Sequence, residues 1–343
     1  MPLPYELGAH GPEIEYWQAW FQRVYRAYAP TKDGIYGQGD VAAVNEMQRR
    51  LGLPQTGIFD DTTAQAARFT PPPPNLLPIM FTVEGHMSDM FHGPVADTAT
   101  DLESKGICHH QPIGYDCGAL PFDNDSGVDE LARLVGATQM DNGVPFPEGT
   151  PWSLGIYSQG AIVGSYFYFR YLQPGQPLAW RTPDLKGVLT YANPCRQTDS
   201  IASWARPWVK ATGTHGLDPI QRFGLPGFPT KPDNWVDVYR EGDIFSENRD
   251  DQASAVRAAV YEAVMNDWTT EPFSLAGQIA AALHAPFEEV IAVIQAIVSG
   301  LVFLASNPQP HYSPFEITGG IAWMRGRLVP GSVEAQELAP GIL

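Results

Sequence analysis

Residues 152–164 limit what this chain can fold into more than any other stretch of its sequence. The apolar run 152–157 precedes Ser158, and glycine and small apolar residues follow it. The pattern predicts a buried strand, a sharp turn at the serine and then a helix. This order is typical of a nucleophile elbow, in which a strained backbone at the end of a strand holds a reactive hydroxyl clear of the sheet.

The usual elbow pattern is Gly-x-Ser-x-Gly, and this stretch departs from it at one position. Ile156 stands where the first glycine is expected, Gly155 lies one place early, and Gly160 fills the second glycine position. Because short serine motifs also arise by chance, an ordinary strand-to-helix turn is the competing interpretation. A nucleophile elbow requires a histidine and an acid elsewhere in the chain, whereas an ordinary turn does not.

Charge and cysteine content restrict the partners and the compartment. A net charge of -17 disfavours binding to phosphate backbones and anionic lipid surfaces, so nucleic acid is not an expected partner. Cys108 and Cys117 could pair, which would leave Cys195 over, but three free thiols are the favoured interpretation. The first residues lack the basic start and apolar core of a secretory signal, so we expect the protein to be made in a reducing cytoplasm and any export to use another route.

The N-terminal region predicts a small all-α domain at residues 1–70. Apolar residues at helical spacing predict a helix at 13–28, and segment 34–44 is repeated at 57–67 with a turn, a capped start and a helix in each copy. A further helix between the copies ends at Gly52. The region resembles the three-helix peptidoglycan-binding module in three features, which are Asp33-Gly34, Gln48 followed by Gly52-Leu53, and the turn with Gly57, Asp60 and Thr63. No individual binding residue is assigned there.

Four consecutive prolines within the segment 71–76 predict a stiff linker between this domain and the remainder, 77–343. Beyond it, predicted strands at 77–83, 108–115, 152–157, 187–194 and 235–239 alternate with predicted helices at 97–105, at 126–135 and after Ser158. Alternation of this kind predicts an α/β fold with a mainly parallel sheet covered on both faces. Ligands of such sheets bind beyond the carboxyl ends of the strands, where Ser158 is expected.

A helical insert is predicted at about 250–306, where helix-forming residues dominate. Its segment 288–305 is apolar enough to suggest a membrane span. However, it is short for one, contains Gln295 and has no basic flanks. A buried helix or a lipid-contacting lid is the favoured interpretation, and no integral membrane association is expected.

A catalytic serine needs a histidine to take its proton and an acid to orient that histidine, and in α/β-hydrolases they follow in the order serine, acid, histidine. Only His215, His284 and His311 follow Ser158. His215 precedes the late strand after which the acid is expected, and His284 lies on the apolar background of the insert. We therefore predict His311, on a proline-rich loop, as the general base.

Asp243 is the predicted acid because it follows a strand that ends in a glycine turn. Glu241 and Asp237 are the alternative acids. Asp243 could also have no catalytic role and simply start a helix. For the oxyanion we predict two backbone N–H donors, from Gln159 and from His86 in the loop after the first strand of the sheet. No spacing of cysteine and histidine suggests a metal, and no glycine-rich phosphate loop occurs, so the chemistry is expected to need no cofactor.

Together, the motif around Ser158, the Gly242-Asp243 turn, His311 and the insert between acid and histidine resemble the lysin B esterases of mycobacteriophages over about residues 75–330. These enzymes are cutinase-like α/β-hydrolases, some with a peptidoglycan-binding extension. The resemblance implies a serine esterase that cleaves the ester between mycolic acids and arabinogalactan, acting at the host envelope during or after lysis. Its partners would be the mycolylated cell wall and a lipid-like acyl chain.

The sequence leaves two other functions open. A general lipase or cutinase would share the three catalytic residues but would not need a wall-binding domain. A non-catalytic wall-binding protein could also retain a hydrolase fold.

Overall fold

The computed structural model describes residues 3–71, 76–119, 121–250, 258, 261, 265, 310–311 and 314–329. The prolines of the predicted linker and nearly all of the predicted helical insert, with His284 and the segment 288–305, lie outside these ranges.

Three helices form the N-terminal module, residues 3–71: α1 (Pro12–Val24), α2 (Gln38–Leu51) and α3 (Asp61–Ala67). The helix predicted at 13–28 therefore ends earlier, and a short 3₁₀ turn follows it at Arg26–Tyr28. The helix predicted to end at Gly52 is confirmed, since Gly52 takes the left-handed conformation that closes α2. Aromatic side chains fill the core between the helices, among them Tyr5, Trp17, Phe21, Tyr36 and Phe59.

The sequence repeat in this module has a structural cause in two buried glutamines. Gln18 on α1 accepts hydrogen bonds from the backbone N–H of Asp33 and Gly34. Gln48 on α2 does the same for Thr56 and Gly57. Each glutamine thereby fixes one of the two repeated turns, because a buried side-chain amide satisfies backbone groups that would otherwise lack partners.

Within the described residues from 76 onward, five parallel strands form one sheet in the order β2-β1-β3-β4-β5. The strands are β1 (Ile79–Val83), β2 (His109–Pro112), β3 (Trp152–Tyr157), β4 (Leu185–Tyr191) and β5 (Trp235–Val238). The predicted strand at 108–115 is shorter in the structure, because β2 is an edge strand that pairs only with β1 and ends at a proline.

Helices cover both faces of the sheet, as the α/β prediction requires. Helices α4 (Pro94–Ser104) and α7 (Thr318–Leu328) pack on one face. Helices α5 (Asn124–Gly136) and α6 (Gln159–Phe167) pack on the other face. Every residue of β1 and β3 is buried, which explains why both strands are almost continuously apolar in sequence.

The N-terminal module contacts the sheet region through charged groups. Lys32 Nζ lies 3.4 Å from an oxygen of Asp184 and 3.4 Å from an oxygen of Glu15, and Lys186 Nζ lies 3.4 Å from the same Glu15 oxygen. Asp184 is buried, and burial raises its pKa although Lys32 opposes that rise. The module is thus joined to the sheet region by ion pairs, one of whose carboxylates is shielded from water.

All three cysteines are free thiols, which confirms the favoured interpretation and excludes a bond between Cys108 and Cys117. Among the helices in the described part of the chain, none combines the length and the apolar composition that crossing a membrane requires.

Candidate active site

Ser158 lies at the tip of a strained turn between β3 and α6. Its backbone has φ 55° and ψ −118°, a conformation that non-glycine residues rarely adopt. The Ser158 N–H donates to the carbonyl oxygen of Tyr191 at 3.1 Å. A Cβ on Gly160 would overlap the carbonyl oxygen of Val83, so only glycine allows α6 to start this close to β1.

The departure at Ile156 is accommodated by a glycine on the next helix. Ile156 is fully buried, and a Cβ on Gly164 would lie 2.7 Å from its Cγ2 atom. Gly155 has a separate role, because a Cβ there would lie 2.9 Å from the Cβ of Val95 on α4. The missing first glycine of the elbow is therefore balanced by Gly164, a compensation that the motif alone does not reveal.

The structure brings His311 against Ser158. The two atoms, Ser158 Oγ and His311 Nε2, are 2.7 Å apart, and His311 is 2% exposed. The ring of Tyr157 stacks on the imidazole with 5.8 Å between ring centres, and the Tyr157 hydroxyl donates to the His311 carbonyl oxygen at 3.0 Å. The ring of Phe245 lies 4.4 Å from the imidazole between centres. These contacts hold the imidazole in one orientation.

Asp243 lies on the far side of the imidazole, with its Oδ1 atom 3.0 Å from His311 Nδ1. Its Oδ2 atom accepts from the Ser246 hydroxyl at 2.6 Å, and Oδ1 also accepts from the Phe245 N–H at 2.9 Å. Burial alone would raise the pKa of Asp243, but the neighbouring His311 and these hydrogen bonds outweigh it and hold the pKa below its ordinary value. The carboxylate is thus ionised at neutral pH, with its charge next to the imidazole.

The alternative acids have other surroundings. Asp237 is buried within the sheet and accepts hydrogen bonds from the side chains of Thr190, Asn193 and Ser200, so it joins β5 to neighbouring segments. Glu241 is exposed. Neither carboxylate contacts His311 within the described residues.

His215, an alternative base, is also engaged elsewhere. Its Nδ1 atom lies 2.7 Å from the carbonyl oxygen of Gly216, and its Nε2 atom lies 3.2 Å from Asp250 Oδ1. His215 therefore fastens a loop rather than facing Ser158.

The two predicted oxyanion donors flank Ser158. Gln159 follows it directly, and the loop that carries His86 passes so close that a Cβ on Gly85 would lie 2.9 Å from the Ser158 Cβ. Among the described residues, neither the Gln159 N–H nor the His86 N–H donates to another group. The His86 ring stacks on Phe122, and burial lowers its pKa. That these two N–H groups receive the oxyanion stays a prediction.

Glu84 is a feature of this site that the sequence reasoning missed. Its side chain is 2% exposed, and Oε1 accepts from the N–H groups of Val95 and Ala96 at the start of α4, at 3.1 and 2.8 Å. Burial raises the pKa of Glu84 to about 8. Gly93 leaves room for the carboxyl group, since a Cβ there would overlap it. The signal available in sequence was a charged residue directly after a buried strand.

The N-terminal module and the sheet region both resemble known proteins. Residues 10–67 match the family model described as "Putative peptidoglycan binding domain". Among solved structures, lysin B from Mycobacteriophage D29 matches with a TM-score of 0.56 and 25% sequence identity, covering 72% of this chain and 99% of that one. The chain is similar to a mycobacteriophage lysin B. The resemblance stated from the sequence is thereby confirmed, and the fold is an α/β-hydrolase with an all-α N-terminal module.

Two further structures match with lower TM-scores. A cutinase-like protein from Cryptococcus sp. has a TM-score of 0.38 and 13% identity, covering 61% of this chain and 96% of that one. The catalytic core of acetyl xylan esterase from Trichoderma reesei has a TM-score of 0.37 and 16% identity, covering 60% and 98%. Among curated proteins, no sequence matches significantly.

Proposed function

We propose that this chain is a serine esterase that hydrolyses carboxylic esters through Ser158, His311 and Asp243. The observation that carries the proposal is the continuous series of contacts from Ser158 Oγ to His311 Nε2 at 2.7 Å and from His311 Nδ1 to Asp243 Oδ1 at 3.0 Å. A serine hydroxyl is a weak nucleophile without such a base, and the base needs an acid to fix its orientation.

In the first half of the reaction, the Ser158 Oγ atom attacks the ester carbonyl carbon while His311 Nε2 takes the hydroxyl proton. Asp243 stabilises the imidazolium that forms, and the N–H groups of Gln159 and His86 receive the negative oxygen. One such donor contributes roughly 3 kcal/mol of transition-state stabilisation. The tetrahedral intermediate then collapses, the bond to the alcohol oxygen breaks, and the imidazolium gives its proton to the leaving alcohol.

In the second half, water attacks the acyl group on Ser158. His311 takes a proton from the water, the oxyanion forms again beside the same donors, and the ester bond to Ser158 breaks. The carboxylic acid leaves, and the proton returns from the imidazolium to the serine oxygen. The enzyme is restored without any other reactant.

As the substrate we propose the ester between mycolic acids and arabinogalactan of the mycobacterial cell wall. Support comes from the similarity to lysin B and from the peptidoglycan-binding family match at residues 10–67. Met87, which follows His86, and Ile244, which follows Asp243, are exposed apolar side chains that suit a long acyl chain. In this proposal residues 1–70 bind the wall, 77–343 form the catalytic unit, and the protein acts at the host envelope during or after lysis.

The test compares wild type with Ser158→Ala on para-nitrophenyl butyrate and on purified mycolyl-arabinogalactan. Ser203→Ala is the matched control, because Ser203 is exposed and lies outside the site. Activity on both substrates that disappears only in Ser158→Ala supports the proposal. Activity on the short ester alone would indicate a general lipase or cutinase. If wild type is inactive on both and a serine-directed phosphonate fails to label it, the chain is a non-catalytic wall-binding protein.

A further inference from the structure

The loop that follows β1 touches the nucleophile at Gly85. A Cβ on this glycine would lie 2.9 Å from Ser158 Cβ and 3.4 Å from Ser158 Oγ. The peptide group that joins Gly85 to His86 is therefore next to the place where Ser158 attacks a carbonyl carbon. A hydrogen-bond donor in such a place stabilises a transition state only if it is held there before the reaction begins. The groups that hold this loop thus bear on the reaction rate.

The segment 113–117, which follows β2, runs beside the loop and makes two hydrogen bonds to it. The backbone N–H of Met87 donates to the carbonyl oxygen of Cys117 at 3.0 Å. The hydroxyl of Tyr115 donates to the carbonyl oxygen of Glu84 at 2.8 Å. These two contacts lie on either side of the Gly85-His86 peptide, so they fix the chain just before and just after it.

The Tyr115 side chain is itself held in place by α5. Its ring passes so close to this helix that a Cβ on Gly127 would lie 3.1 Å from Tyr115 Cγ. Burial raises the pKa of Tyr115 well above its ordinary value, so the hydroxyl keeps its proton and acts as a donor. The Tyr115 hydroxyl is therefore a fixed donor on a packed ring.

Glu84 is also held by two helices. Its Oε1 atom accepts from two backbone N–H groups at the start of α4, at 3.1 and 2.8 Å. On another side, α6 begins so close that a Cβ on Gly160 would lie 2.6 Å from the Glu84 carbonyl oxygen. Side chain and carbonyl group of Glu84 are thus both fixed, and one peptide bond joins this residue to Gly85.

We propose that Tyr115 and Glu84 are positioning residues for the oxyanion, an inference that rests on the proposed function. Neither side chain touches the substrate. Together they hold the backbone that places the His86 N–H beside Ser158. Because the oxyanion exists only after Ser158 has attacked, a displaced donor weakens binding of the transition state and not of the substrate. Loss of either contact therefore lowers kcat and leaves KM unchanged.

The experiment measures hydrolysis of para-nitrophenyl butyrate and its inhibition by propylboronic acid. This acid forms a tetrahedral adduct with a reactive serine and places an oxygen where the oxyanion forms. In Tyr115→Phe we expect kcat to fall and the inhibition constant Ki to rise, each about two- to tenfold, the range that one lost hydrogen bond gives. KM should change less than about twofold. Tyr36→Phe is the matched control, because this buried hydroxyl also donates to a backbone carbonyl, that of Gly57 at 3.0 Å, but lies in the N-terminal module.

The inhibition constant separates positioning from a loss of folded protein. A smaller folded fraction lowers the apparent kcat but leaves Ki unchanged, because Ki does not depend on the enzyme concentration. A second pair of variants tests the other contact. Glu84→Leu cannot accept from the start of α4 and should raise Ki. Glu84→Gln keeps an accepting oxygen and should recover most of the lost affinity.

An unchanged Ki in Tyr115→Phe, or a fall in its kcat without a rise in Ki, would overturn the positioning role while the esterase itself stands. A rise in Ki of the same size in Tyr36→Phe would also overturn it, since the effect would then not depend on the loop. If wild type neither hydrolyses the ester nor binds the boronic acid, the proposed esterase is wrong and the positioning role falls with it.

Discussion

Glu84 gives the sharpest prediction about stability. Its carboxyl group is buried against the start of α4, and its pKa is raised to about 8 by burial, against an ordinary value of 4.5. Between these two pH values the folded protein keeps a proton that the unfolded chain releases. The contribution of Glu84 to the free energy of unfolding therefore falls as the pH rises from 4.5 to about 8.

The size of the effect follows from the two pKa values. Each unit of difference corresponds to about 1.4 kcal/mol, so full ionisation of Glu84 costs at most about 5 kcal/mol of stability by pH 8. Glu84→Gln keeps an oxygen that can accept from Val95 and Ala96 but cannot ionise. The variant should lose this part of the pH dependence and become more stable than wild type above pH 8.

Urea unfolding followed by tryptophan fluorescence measures the free energy of unfolding at pH 5, 7 and 9. The difference in this free energy between wild type and Glu84→Gln isolates the contribution of Glu84 from the general effect of the net charge. Glu241→Gln is the control, because it removes an exposed carboxylate near the same edge of the sheet. If the unfolding free energies of wild type and Glu84→Gln keep a constant difference from pH 5 to pH 9, the carboxyl group does not hold its proton and the reasoning is wrong.

Three further predictions follow from single contacts. Gly164→Ala should destabilise the fold by about 1–3 kcal/mol through its clash with Ile156, and the loss in the double variant with Ile156→Ala should be smaller than the sum of the two single losses in a thermal melt. Ser246→Ala removes the 2.6 Å hydrogen bond to Asp243, so kcat/KM should fall about tenfold and its acidic limb should move to higher pH in a pH–rate profile. Lys32→Met removes the ammonium group that pairs with the buried Asp184 across the two parts of the chain, so limited proteolysis should cut between the N-terminal module and the sheet region faster than in wild type.

The fold could be predicted well because its strands are buried on both faces. Strands β1 and β3 appear in sequence as nearly unbroken apolar runs, which a parallel sheet covered by helices requires. Strand β2 was predicted with the wrong bounds, since an edge strand that is only half-buried has no such run. The position of Ser158 could also be predicted, because a strand, a serine and closely spaced glycines leave few other arrangements.

The contacts that support the site could not be predicted in the same way. Gly164 on α6 leaves the space that Ile156 on β3 fills. Neither segment alone identifies the other as its partner. Glu84 would be expected at the surface by its charge, and only the helix start at Val95 explains its burial. In both cases the physical reason is a tertiary contact that overrides what the residue type favours locally.

Hydrogen bonds to backbone carbonyl oxygens keep the three catalytic segments in one geometry although they lie far apart in the chain. The Tyr157 hydroxyl, next to the nucleophile, donates to the carbonyl oxygen of His311, and Arg240, just before the acid, donates to the carbonyl oxygens of Pro310 and Pro314. The loop that carries the imidazole is thus held by neighbours of the serine and of the aspartate. Because these hydrogen bonds end on backbone carbonyl oxygens, they hold the loop in place while the two ring nitrogens of His311 face Ser158 and Asp243.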